Sequence, residues 1–407
     1  MSSRDWSEAR MKIAFATTYD LRNVGRGSGT FYNLAQEIER QGHSVTRIGP
    51  FTFEVPLTAR LINAVHRRLG KRHPLFLDPF VGKRTGIQVA QRLAGADYDI
   101  LLTNDMAIGA FTPISKPVVI YTDVMITTAY SEKNLPGCRL GNLSVMTLGL
   151  CRRTLRRALH RSTLAVFPAE WSAQAARSYC REPDKIKVIP FGANVADPGS
   201  EIAKGRAWEK VNGKGCFDLL FVGKDWIRKG GDVAVEAVRC LNATGLKARL
   251  HVVGAEVPGE VSPGQVRQYG LLDKSKPEEM QLLKRLFTEA DAFILPSSSE
   301  GYVISVLEAA AFGLPTLAYD ADGVRNAVVD GHTGLLFPLG SPGGVFADAV
   351  RFWQRQPATY EALARGARQH YETSANWRSC VSALMECIEE TLRIPNPKRE
   401  LKPSLAA

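Results

Sequence analysis

The sequence predicts an α/β fold: two doubly wound, Rossmann-like domains facing a central cleft. Three observations predict it. The chain has 407 residues, more than one hydrophobic core serves comfortably and about right for two domains. Short apolar β-like runs alternate with helical patterns from end to end, as in a mostly parallel sheet covered by helices. The alternation breaks at 196–215, a stretch rich in Gly, Asp, Lys and Pro that reads as an interdomain linker.

The elements follow in order. The first half offers strands over 12–16, 44–48, 100–103, 118–121, 164–167 and 186–189, with a helix over 31–40 completing a strand–glycine loop–helix opening. The section 51–80 is irregular and carries a basic stretch from His66 to His73. The second half reads as strands over 218–223, 249–254, 292–296, 316–319 and 334–337, with helices over 231–242, 277–289, 302–312 and 345–354. An amphipathic last helix, 377–392, can return to the first domain. The expected domains are therefore 1–195 and 196–375, with the segment from about 376 to 407 packing back onto the first. The cleft lies at the carboxyl ends of both sheets, where loops and helix amino termini converge.

Composition removes other classes. Hydrophobic residues make up 45% and charged residues 23%, which sets disorder and fibrous folds aside. The seven cysteines include no CxxC pair, and their odd number argues for reduced thiols in a cytosolic protein. No apolar run reaches the length of a signal peptide core or a spanning helix, so the expectation is a cytoplasmic protein, at most peripheral at the inner face of a membrane. The net charge of +11 suits nucleic acid, an anionic membrane or a phosphorylated substrate. Nucleic acid is disfavoured, because no basic segment is interleaved with aromatics that would stack bases.

Three segments carry chemistry. In the first, a strand ends at Pro296 and a small polar loop leads to Glu300 and a helix beginning near Gly301, whose free amides suit a phosphate or a sugar hydroxyl. Were Glu300 and Glu308 on one helix, they would stand about 12 Å apart and could hold the two ends of an extended ligand. The bland alternative makes Glu300 a helix-start acid and Glu308 a solvated residue. Glu308 lies between Leu307 and Ala309, where a carboxylate needs a partner. In the second segment, Lys224, Arg228 and Lys229 follow the strand ending at Gly223 and can neutralise a diphosphate, or form a solvated basic loop. In the third, Gly27 and Gly29 sit in a glycine loop between the first strand and first helix, where backbone can approach a phosphate.

Together these segments resemble glycosyltransferase family 4, retaining enzymes of the GT-B fold, over most of the chain and most strongly from 217 to 338. The family's E-x7-E pattern matches Glu300 and Glu308. The resemblance implies that Glu308 holds the ribose hydroxyls of a nucleotide sugar, and that Glu300 with the amides of Gly301, Tyr302 and Val303 faces the donor sugar. It assigns Lys229, with Lys224 or Arg228, to the diphosphate, and the backbone of Tyr269, Gly270 and Leu271 to the base. Further landmarks match at 170–172, 190–194, 322–325 and 330–336. Many members carry a histidine near the transferring sugar, after the fourth strand; here Asp123 or Thr122 stands in that place. Asp123 would accept a sugar hydroxyl or the acceptor's proton, and capping of the following loop is its competing role.

The implied reaction is retaining transfer from a nucleotide-diphosphate sugar to a hydroxyl acceptor (glycan, lipid or small molecule), with Asp123, Glu300 and Lys229 as the catalytic set. No cofactor is expected beyond the nucleotide sugar as co-substrate, and no metal: Asp320 and Asp322 have metal-site spacing but sit in a post-strand loop. A nucleotide-sugar epimerase and a non-catalytic nucleotide-sugar-binding subunit are the alternatives. The run Arg152, Arg153, Arg156, Arg157 and Arg161 reads as a solvated helix face, with contact to an anionic bilayer as the second possibility.

Overall fold

Apolar runs without alternation become strands here, because a parallel sheet is covered on both faces. The computed structural model describes residues 10–51, 54–123, 142–204, 208–213, 215–259, 262 and 264–393. Cys138, the amino-terminal segment to residue 9, parts of the linker (205–207 and 214) and the segment 394–407 lie outside them; the other six cysteines are free thiols.

The first sheet joins β1 (Lys12–Ala16), β2 (Ser44–Ile48), β3 (Ile100–Thr103), β4 (Val118–Tyr121), β5 (Leu164–Phe167) and β6 (Ile186–Val188) in the order β2-β1-β3-β4-β5-β6, all parallel. The helices between them are α1 (Thr30–Arg40), α2 (Leu57–Arg68), α3 (Pro79–Leu93), α4 (Met106–Phe111), α5 (Val145–Arg161) and α6 (Glu170–Tyr179). The second sheet joins β7 (Phe217–Gly223), β8 (Ala248–Gly254), β9 (Val266–Gln268), β10 (Ala292–Leu295), β11 (Thr316–Tyr319) and β12 (Gly334–Phe337) in the order β12-β11-β10-β7-β8-β9, again all parallel. Two short helices, α7 (Glu201–Lys204) and α8 (Trp208–Gly213), precede it. Its own are α9 (Gly231–Ala243), α10 (Pro277–Glu289), α11 (Ile304–Ala311), α12 (Val324–Ala327), α13 (Gly343–Arg355), α14 (Pro357–Thr373) and α15 (Trp377–Arg393). The order reverses between β7 and β10, and that switch point opens a crevice at the strands' carboxyl ends.

The expected linker is partly core. Trp208 is buried, with ring centroids 5.8 Å from Phe217 and 5.2 Å from Tyr360. The irregular 51–80 section contains α2 and the cap of α3, where the Asp78 carboxylate accepts from the amides of Phe80 and Val81. His66 and His73 are buried rather than part of a basic surface. They stack at 5.6 Å; His73 Nε2 lies 2.8 Å from Asp78 Oδ2, and His66 Nε2 hydrogen-bonds Ser144 at the start of α5. Burial opposes the charge on Asp78, but His73 and the two amides hold its pKa below the usual carboxylate value.

The arginines of α5 divide between protein and solvent. Arg157 Nε and Arg161 Nη2 donate to the carbonyls of Ala110 and Thr112, at 2.9 and 2.7 Å, capping the carboxyl end of α4. Arg156 lies over the Tyr179 ring. The helix therefore uses much of its charge internally.

The α15 helix lies against α1, and the Gln41 side chain donates to the Arg378 carbonyl. Where the chain returns, Ala193 N donates to Ala375 O at 2.9 Å, and Asn194 links Ser28, Thr30 and Trp377. Gly192 is required there: an added Cβ would lie 2.4 Å from Trp377 N and 2.6 Å from its Cγ. Gly192→Ala is expected to lower unfolding free energy by about 2–3 kcal/mol and to speed proteolysis near α15. Denaturant titration with limited digestion checks it, and a wild-type digestion pattern would refute the contact.

Candidate active site

The crevice is a cleft of about 970 Å³ between the two sheets. Loops after β7 and β10, the strands flanking the switch point, supply its charged floor. The β7 loop brings Lys224, Arg228 and Lys229, and the β10 loop brings Ser299, Glu300, Gly301 and Tyr302.

Glu300 is buried and doubly paired. Lys229 Nζ lies 2.6 Å and Arg228 Nη1 2.7 Å from the same carboxylate oxygen, and Ser297 donates to it as well. Burial would raise the Glu300 pKa, but the charges of Lys229 and Arg228 outweigh it and hold the group below its usual value. Arg228 also donates to the Ser299 carbonyl, so one guanidinium ties the two loops together. Lys224 stands exposed on the same wall.

Glu308 projects from α11, buried, and pairs closely with Lys274 Nζ. Lys274 is a cleft residue that sequence reading missed; it lies in the loop after β9. A lysine three residues past Leu271 offers no periodic signal, and its partner is 34 positions away. The two glutamates do not share a helix. The helix expected near Gly301 starts at Ile304, so Glu300 precedes it and the spacing of a single helix does not apply. Tertiary contacts hold 301–303 out of the helix: Trp171 Nε1 donates to the Gly301 carbonyl at 3.1 Å, and Gly323 N to that of Glu300. Tyr302 lines the cleft, with a buried hydroxyl that finds no hydrogen-bond partner among the described residues. Val303 is buried beside it and does not line the cleft.

The glycine loop is shifted from its expected role. Gly27 (φ 55°) and Gly29 (φ 84°) allow a left-handed turn, with Gly27 against the Tyr19 hydroxyl and Gly29 capping α1. The residues that reach the cleft are Asn23, Val24, Gly25, Arg26 and Ser28. Of the β9 end, Leu271 lines the cleft, while the Gly270 carbonyl accepts from Gly254 N at 2.7 Å. The Tyr269 hydroxyl turns away to His251, at 2.8 Å, into a separate cavity of about 310 Å³.

Asp123 faces these groups from the first sheet. Its Oδ2 lies 3.1 Å from where a Cβ on Gly301 would stand, so the two domains meet across this carboxylate. Burial, and then the negative charge of Glu300, push its pKa up to about 6. The fold therefore holds a proton that the unfolded chain releases near pH 4. The associated stability is complete below about pH 4 and is lost as pH rises through about 6. Asp123→Asn should thus raise the melting temperature at pH 8, by the equivalent of ~1–2 kcal/mol for a carboxylate partly open to the cleft, and leave it unchanged at pH 4. Equal melts for both proteins at both pH values would show that the group is fully solvated.

Asp320 and Asp322 have separate partners. Arg325 donates to Asp320 at 2.8 Å, and Ser299 Oγ to Asp322 at 2.9 Å. Among the described residues no three His, Cys, Asp or Glu side chains gather as a potential metal cluster.

Two family models match this chain: "Glycosyltransferase Family 4" over residues 28–197 and "Glycosyl transferases group 1" over 207–370. A D-inositol 3-phosphate glycosyltransferase of Thermomonospora curvata is 29% identical over 241 residues, which is 55% of this chain and 56% of that protein. The chain thus spans about half the length of the curated relatives it matches. Sucrose-phosphate synthase from Thermosynechococcus elongatus superposes with a TM-score of 0.68 at 17% identity, covering 94% of this chain and 99% of that one. Anabaena Alr3699/HepE in complex with UDP-glucose superposes at 0.61 and 17% identity, covering 94% and 100%. Both likenesses speak for the fold.

Proposed function

Because the chain belongs to the glycosyl transferases group 1, of GT-B fold, we propose that it moves a sugar from a nucleotide-diphosphate donor to a hydroxyl acceptor, with retention of configuration and without a metal ion. The observation that carries this reading is the juxtaposition at the switch point: two cations on one buried glutamate, with a second buried glutamate farther along the same cleft. That arrangement suits an extended, doubly charged ligand with polar ends.

In this reading Lys229 and Arg228, with Lys224 at the rim, receive the diphosphate and stabilise its charge as it leaves. Their positive charge takes the place a divalent cation would otherwise fill. Glu308 accepts from the ribose hydroxyls once Lys274 yields, and Leu271 borders the base, while the Tyr269 amide and the Gly270 carbonyl are bonded to Val252 and Gly254. Glu300, Gly301 and Tyr302 surround the sugar, with Val303 packed behind them, and Tyr302 offers a hydroxyl that has no partner among the described residues. Asp123, with a pKa about 6, is ionised at neutral pH and basic enough to accept the acceptor's proton. The incoming hydroxyl attacks on the face that the diphosphate leaves, so the protein supplies orientation and charge stabilisation and no nucleophile. Gly27 and Gly29 shape the loop that presents Arg26 and Ser28 to the acceptor side.

The test is a panel of nucleotide sugars incubated with the purified chain, with and without EDTA, following released nucleotide diphosphate. Release from one donor that survives EDTA is expected, and it names base and sugar together. Loss of release with EDTA would overturn metal independence alone. An epimerised nucleotide sugar formed without acceptor would overturn transfer.

A further inference from the structure

Helix α2 is amphipathic in the wrong direction for a core. Leu57, Leu61, Val65 and Leu69, spaced by four along α2 and its carboxyl cap, are 75%, 67%, 55% and 68% exposed, whereas the buried side is Ala59 and His66. At 100° per residue the four apolar side chains fall on one stripe, away from the side that the His66–Ser144 bond fastens to α5. Val145 and Met146, which follow Ser144, are exposed as well. Arg60 and Arg67 flank the stripe on one side, and Arg68 falls within it at the carboxyl end. Arg60, Arg67 and Arg68 are exposed on the helix, and Lys71 and Arg72 follow; no Asp or Glu occurs between Glu54 and Asp78.

We infer that α2 is an interfacial helix that seats this chain on an anionic bilayer, its leucine stripe at the acyl boundary and its arginines among the headgroups. Three exposed arginines on a helix that carries no acid repel a basic partner and suit a negatively charged surface. An exposed apolar stripe gains nothing from water but partitions into a bilayer interface. The pairing of both on one surface helix selects the lipid surface over a second copy of the chain, which would bring like charges together. The seat lies beside the cleft: Phe76, a few residues beyond Leu69, is exposed and lines it. A chain held through α2 therefore presents its cleft to hydroxyls borne on lipid. That last clause rests on the transfer reading, whereas the seating does not.

The experiment is flotation of the full chain with extruded vesicles of phosphatidylcholine alone or with about a third phosphatidylglycerol, at low and moderate salt. Wild type should float with the anionic vesicles only. Leu61→Glu with Val65→Glu should reduce the bound fraction about tenfold or more, and Arg60→Gln and Arg67→Gln about fivefold each. Leu61→Trp should shift its emission to the blue on adding the same vesicles. All are surface changes, so their melting temperatures and their donor-induced thermal shifts without vesicles should match wild type. That arm reads the transfer hypothesis separately. No flotation of wild type, or flotation indifferent to Leu61→Glu, would overturn the inference. So would a concentration-dependent dimer that Leu61→Glu abolishes, because a second copy would then cover the stripe.

Discussion

Lys229→Ala is expected to reduce donor turnover about 10²- to 10³-fold, the usual consequence of removing one preorganised group that stabilises transition-state charge. The ammonium is enclosed, with 12% of its side chain exposed, and sits 2.6 Å from Glu300. An enclosed cation acts through a lower effective dielectric than water, so its loss is felt more at a departing diphosphate than at a surface site. Folding should suffer less. Arg228 remains 2.7 Å from the same oxygen, so the stability loss stays under the about 3–5 kcal/mol of a buried charge left unpaired. The pH dependence should also change. The lowered Glu300 pKa contributes stability that is present above the unfolded value and lost as pH falls through the folded one. With Lys229 gone that pKa rises, so the stability it contributes is lost at a higher pH than in wild type, whereas Asp123 still sets the acid limb of the rate profile. Steady-state release of nucleotide diphosphate measures the first effect and melting temperature across pH 3–7 the second. A loss of less than about fivefold would remove Lys229 from the diphosphate site.

Gly230→Ala should be the most damaging small substitution in the second domain. Gly230 has φ 75° at the amino cap of α9, and an added Cβ would lie 2.1 Å from the Pro296 carbonyl oxygen. Two costs combine: left-handed backbone for a residue with a side chain, and overlap with main chain that cannot rotate aside. Together they amount to about 3–5 kcal/mol. The contact joins the loops after β7 and β10, so a shift there moves Arg228 and Lys229 away from Glu300. Denaturant unfolding should show the loss of stability, and a nucleotide diphosphate should give no thermal shift even where the variant is folded. A loss below about 1 kcal/mol, with the thermal shift intact, would mean that the loops can separate without consequence.

Lys229 is a residue that the sequence brought forward, and the reason is local. Central parallel strands are unbroken apolar runs, such as Val118–Tyr121 and Ala292–Leu295, and the loops at their ends gather charge in short stretches. Chemistry placed at strand ends is therefore readable. Contacts between distant segments are not. Lys274 meets Glu308, and Trp171 holds Gly301, through pairings that no periodicity encodes. The start of α11 was misplaced for the same reason, since a tryptophan 130 positions away keeps Gly301 out of the helix. Helix α2 went unread because its apolar residues face outward, so its pattern had no strand to pack against. Helix α14 was legible but missed: Tyr360, Leu363, Ala364, Ala367 and Tyr371 recur at helical spacing.

The chain passes from one half of the molecule to the other twice, and both passages meet at the hydrogen bond from Ala193 to Ala375. Two connections fastened at one point make that point the natural pivot between the halves, and a cleft residue reaches it. Lys274 Nζ lies 3.5 Å from the carbonyl of Asn194, one residue beyond the pivot, while pairing with Glu308 inside the cleft. A ligand that claims Glu308 competes with the same lysine, so the far end of the cleft and the crossing of the two connections share one side chain.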